Sequence, residues 1–120
     1  MQPTPVVCQH AGITAVNEGE EFVLATVERY RRNRDLVYQR LAAMPRVRLA
    51  RPEAAFYAFF AVDGITDSVA FAQQLINEVG VGLAPGRAFG PSGEGRLRLC
   101  FAAETKTLSK ALNQLAPALG

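Results

Sequence analysis

Two arginines placed two residues apart, Arg96 and Arg98 in "GEGRLRLCF" (residues 93–101), are the side chains of this chain that could hold an anion. In a β-strand, Leu97, Leu99 and Phe101 point one way and Arg96, Arg98 and Cys100 the other, because successive side chains alternate. A guanidinium on a strand beside a glycine-rich loop is placed to donate two parallel hydrogen bonds to a carboxylate or a phosphate. The same pattern also fits solvated charge that discourages pairing between molecules, and alternation alone does not choose. Other reactive side chains offer less. Lys106 and Lys110 fall in a stretch of helical spacing and read as solvated helix charges. His10 has no carboxylate nearby in sequence with which to share acid-base work. Cys8 and Cys100 are too few and too scattered for a disulfide framework or a zinc site. No metal is expected, and Cys100 reads as a small strand residue.

The elements that must position these residues follow from periodicity. Residues 1–12, with Pro3 and Pro5 and no repeat, read as an extended lead-in segment. Helical spacing then begins with Ile13 and Val16 and, after Gly19, steps by three and four through Val23, Val27, Tyr30, Arg34, Val37, Leu41 and Met44, the spacing of one long helix with a break at Gly19. Its acids come early and its bases late, as the helix dipole favours, and Pro45 ends it. Val47 and Leu49 alternate with arginines, and Ala55 to Val62 is rich in aromatics, so two strands are expected, joined across residues 51–54. Thr66 or Asp67 would cap a helix carrying Val69, Phe71, Leu75, Ile76 and Val79, with a stop at Gly80. "VGLAP" reads as a short strand and "GRAFGPSGEG" as a loop with four glycines. "RLRLCFA" is the last strand, and Leu108, Ala111, Leu112 and Leu115 mark a final helix ending around Pro117. The order is α-β-β-α-β-β-α. This predicts an α/β chain of the α+β type, a small, mostly antiparallel sheet with helices packed on one face, because each helix has one apolar stripe to bury.

Composition narrows the functional classes. At 120 residues, 49% hydrophobic and 20% charged, the chain has the balance of a globular domain with its own core. A net charge of +2 is too small to call for a nucleic acid. The basic run "ERYRRNR" is interleaved with Glu28, Tyr30 and Asp35, as on any solvated helix face. No apolar stretch approaches the roughly 20 residues of a membrane helix, so no membrane partner and a cytoplasmic location are expected.

Beyond these patterns, "PEAAFYAFF" (residues 52–60), "VGVGLAPGRAFG" (79–90) and "GRLRLCFA" (95–102) stand in the order and spacing of the C-terminal part of class I/II aminotransferases, pyridoxal-phosphate enzymes of the aspartate aminotransferase fold type. The helix "ERYRRNRDLVYQRLAAMP" (28–45) is similar to the one preceding those motifs. The resemblance implies that residues 13–120 form the family's C-terminal small domain. It also implies that Arg98 binds the α-carboxylate of an amino acid or 2-oxo acid, and that Tyr57, Pro85, Gly86 and Phe89 line the cleft. Arg96 lies where the family varies. Ala54 stands where the family has glycine, and Arg87 where it often has a small residue. The family's cofactor lysine, the acid facing the pyridine nitrogen and the phosphate donors belong to the large domain. No catalytic or cofactor-binding residue is therefore expected here, no pyridoxal phosphate is expected on this chain alone, and the missing large domain is the expected partner. Carbon–sulfur lyases, decarboxylases and transcription regulators with an aminotransferase-like part end in a similar way. A homodimer is possible through the open face of the sheet.

Overall fold

Pro3 and Pro5 precede the first helix, where a residue without an N–H is tolerated because the opening N–H groups of a helix have no partner within it. The computed structural model of the chain describes residues 2–120. In it, α1 runs Val6–Glu18 and α2 runs Glu20–Ala42, separated at Gly19. The extended lead-in expected for residues 1–12 is therefore corrected: from Val6 to Glu18 nothing interrupts helical geometry, and the prolines only fix where it starts. Met1 lies outside the described residues. The remaining elements are β1 (Val47–Arg48), β2 (Tyr57–Val62), α3 (Ser68–Val79), β3 (Ala84–Pro85), two 3-10 turns (Gly86–Phe89 and Pro91–Gly93), β4 (Arg96–Cys100) and α4 (Thr105–Leu119).

The sheet has the order β1-β2-β4-β3 with every pair antiparallel. Ala58, Phe60 and Val62 from β2 and Leu97 and Leu99 from β4 are buried on one face. They pack in one cluster with Val37 and Leu41 of α2, Phe71 and Leu75 of α3, and Leu108, Leu112 and Leu115 of α4. This is the expected small antiparallel sheet with helices on one face; α2, α3 and α4 each contribute a single buried stripe, while no residue of α1 is buried.

Two local departures from the expected pattern, and one pair of helix ends that meets it, have physical causes. The buried stripe of α2 runs Asn33, Val37, Leu41, and Arg34 stands at its edge. The Asn33 amide donates to the carbonyls of Phe101 (3.0 Å) and Ala103 (2.8 Å) and accepts from the Thr105 hydroxyl (2.7 Å). A satisfied polar group thus ties α2 to the β4–α4 junction. Second, α4 continues through Pro117 to Leu119, which is fully buried. In the last turn proline forfeits little, and burying Leu119 extends the helix. Third, Asp67 caps α3, its carboxylate accepting from the Ala70 N–H at 3.0 Å, and Gly80 ends that helix at φ 71.

Candidate functional site

With Leu97 and Leu99 committed to the core, alternation puts Arg98 on the open face of β4, where the register sets it between Phe59 of β2 and Ala84 of β3. Its guanidinium carbon lies 4.2 Å from the centre of the Tyr57 ring and 4.1 Å from that of Phe89. Two aromatic faces therefore contact the one cation, an arrangement favoured by the ring quadrupoles. Arg98 is half-buried. Among the described residues it has no acidic partner, whereas Arg31, Arg34, Arg48 and Arg51 are all paired with Glu28, Asp35 or Asp63. Arg96 is exposed and lies 5.7 Å over Phe59, which meets Phe89 edge-on at 6.1 Å.

Phe89 reaches Arg98 because the loop carrying it is folded tightly against β4. A Cβ on Gly86 would lie 2.0 Å from the Gly93 carbonyl oxygen, and one on Gly93 would lie 2.1 Å from that of Gly86. Only glycine allows the two backbones to approach in this way. Pro85 pairs with Leu97 at the edge of the sheet. Of the residues expected to line a cleft, Tyr57 and Phe89 thus touch Arg98, while Pro85 and Gly86 set the path of the loop.

Two further residues anchor this loop, and sequence reasoning passed over both. One Glu94 carboxylate oxygen accepts from the Ser68 N–H at 2.7 Å and the Gly95 N–H at 2.9 Å, and the hydroxyl of fully buried Ser68 accepts from the Arg87 N–H at 3.2 Å. The Gly95 and Ser68 N–H groups hold the Glu94 carboxyl below its usual range, with a further contribution from the Arg87 charge. An acid in a glycine-rich loop reads as solvated. Its only sequence signal is its position just before a strand, as a candidate cap from outside the helix.

A hollow of about 400 Å³ lies between α2 and the turn before β2, lined by Tyr30, Arg34, Ala54, Ala55 and Phe56 among others. Ala55 there adopts φ 60, so the left-handed position falls one residue after Ala54, where the family's glycine was expected. No group of three or more His, Cys, Asp or Glu suited to a metal occurs among the described residues. Lys106 and Lys110 are exposed on α4, on the helical side of the sheet away from Arg98. Among the described residues no lysine therefore lies on the Arg98 face of the sheet, where a Schiff-base cofactor would need its amine.

The model of the family "Aminotransferase class I and II" matches residues 3–115. The chain is 36% identical over 114 residues to an LL-diaminopimelate aminotransferase of Desulforudis audaxviator, covering 95% of this chain and 29% of that enzyme. It is 34% identical to an aspartate aminotransferase of Pyrococcus horikoshii, covering 92% and 29%. The solved aspartate aminotransferase of Thermotoga maritima superposes with a TM-score of 0.82 at 34% identity, over 95% of this chain and 28% of that one. The chain therefore spans less than a third of the length of the relatives it matches. On the family match and these similarities, the chain belongs to the class I and II aminotransferases.

Proposed function

We propose that these 120 residues are the C-terminal, substrate-carboxylate-binding part of a pyridoxal-phosphate-dependent amino acid aminotransferase, with Arg98 receiving the α-carboxylate of the amino acid and of the 2-oxo acid. The observation that carries this reading is the Arg98 guanidinium, without an acidic partner and contacted by the rings of Tyr57 and Phe89. Two rings limit the orientations open to the fork and remove water from it, which strengthens a bidentate pair with a carboxylate. The chain's own contribution is positional: it holds one end of the substrate so that the rest projects from the open face of the sheet. The cofactor and the lysine that carries it belong, in this reading, to the remaining two-thirds of the enzyme, the partner of this part. The substrate is accordingly an amino acid and its 2-oxo acid, and transamination by these residues alone is not expected.

Titrating 2-oxoglutarate into the isotope-labelled chain, while following the Arg98 side-chain N–H resonance, tests the assignment. Charge-assisted hydrogen bonds are worth roughly 1.5–3 kcal/mol, so Arg98→Gln is expected to weaken binding by about tenfold or more. Arg98→Lys keeps the charge but loses the planar fork and should fall between. Binding unchanged in Arg98→Gln would remove Arg98 from the site. In the same samples, pyridoxal phosphate trapped by borohydride should label Lys106 and Lys110 no more than any exposed amine, with no saturable, site-specific adduct.

A further inference from the structure

Arg98 pairs with Ala84 at the edge of the sheet, and one of the two rings against it, Phe89, is carried by the loop that follows. The 3-10 turn Gly86–Phe89 is short, and Arg87, Ala88 and Phe89 are exposed, so little apolar burial holds it in place. Its attachments are polar and few. The Arg87 N–H donates to the Ser68 hydroxyl, Glu94 accepts from the Ser68 N–H, and Gly86 and Gly93 pack backbone against backbone. Glu94 also accepts from the Gly95 N–H, and the Gly95 carbonyl in turn accepts from the Val62 N–H at 3.3 Å. One carboxylate oxygen thus joins the start of α3, the base of the loop and the first residue of the approach to β4.

We infer that Glu94 is a positioning residue for the substrate-anchoring arginine: by holding the start of α3 and the loop base together, it keeps Phe89 stacked on Arg98 and so orients the guanidinium without touching substrate. This rests on the reading of Arg98 as the carboxylate fork. Both short bonds end on the same oxygen, Oε1. An amide oxygen has two lone pairs and can accept both, so glutamine preserves the clamp and alanine abolishes it. A role confined to overall stability makes a different forecast, in which unfolding shifts but the folded-state environment of Arg98 does not.

The test uses the full chain as wild type, Glu94→Ala, Glu94→Gln and Ser68→Ala. Protons held over aromatic faces are shifted by the ring currents, so the Arg98 side-chain N–H resonance reports the stack directly. In folded Glu94→Ala that resonance should move toward the values of exposed arginines such as Arg32, and 2-oxoglutarate affinity should drop roughly tenfold, the scale of one displaced contact. Glu94→Gln should stay near wild type. An unchanged Arg98 resonance in folded Glu94→Ala overturns the inference. If that variant does not fold, Ser68→Ala decides: it leaves the Arg87 N–H without its acceptor, and it must move the same resonance part of the way or the inference falls. Should the wild-type chain bind no 2-oxoglutarate while the resonance still responds to Glu94→Ala, the carboxylate reading of Arg98 fails and the clamp stands.

Discussion

Asn33 and Glu94 hold this structure together at single points, and neither looks remarkable beside the eleven arginines of the chain. Asn33 makes three hydrogen bonds in full burial. Replacing it with alanine leaves two carbonyls and a hydroxyl without their partner, so Asn33→Ala should destabilise the chain by about 2–4 kcal/mol, read from the midpoint of urea unfolding. A polar residue among charged neighbours on a helix is read as solvated. Only the spacing of four to Val37 and eight to Leu41 betrays it, and Arg34 competes for the same place. Glu94 makes a signed prediction in pH. Its carboxyl is held below the usual value, so its stabilisation is complete above the unfolded value of about 4.3 and is lost as pH falls through the lower folded one. The loss should therefore appear only at acid pH, as a fall in the urea unfolding midpoint. The loop carrying Phe89 keeps its place meanwhile, because a protonated carboxyl, like an amide, retains a carbonyl oxygen that accepts both N–H groups. A fall centred near neutrality would count against it. Arg98 was separable from Arg96 by resemblance, not by alternation, which treats them alike. The structure distinguishes them through contacts that no spacing rule contains, two aromatic faces against one.

At the scale of elements, most of the fold was legible because apolar spacing and burial agree. In α3, Phe71 and Leu75 are buried as the pattern implies, and Gly80 ends the helix in the left-handed conformation that the stop signal anticipated. Val69 and Ile76, however, remain about half exposed, since an apolar residue at the margin of a stripe looks like one at its centre. The reading failed where a local rule met a longer-range demand. Pro117 does not stop α4, because Leu119 beyond it is drawn into the core. Pro3 and Pro5 suggested an extended segment, yet α1 forms directly after them. Strands β1 and β3 shrink to two residues each, which length-independent alternation cannot foresee. The loop between β3 and β4 was read correctly as glycine-rich, but the pairing of Gly86 with Gly93 depends on a backbone path that composition does not encode.

The molecule as a whole is longer than a compact chain of its size. Its radius of gyration is 17.3 Å, against about 14 Å for a compact domain of 120 residues. The excess comes from α1 and the first half of α2, which project from the body. No residue of α1 is buried, and Val16, Phe22, Leu24 and Val27 are 58–86% exposed. Exposed apolar surface of this kind favours association. The chain should associate with concentration in sedimentation velocity, and removal of residues 1–18 should lessen that association while changing folding stability by less than about 0.5 kcal/mol. A large loss of stability would mean that α1 holds the body together after all. The antiparallel register of β2 with β4 has a consequence for folding itself. Sliding either strand by one residue would drive Arg96 and Arg98 into the core and turn Leu97 and Leu99 outward, so an off-register sheet cannot persist as a partly working one. The ring-stacked Arg98 and the hydrophobic core are two sides of a single strand, and they should form and melt in the same cooperative step.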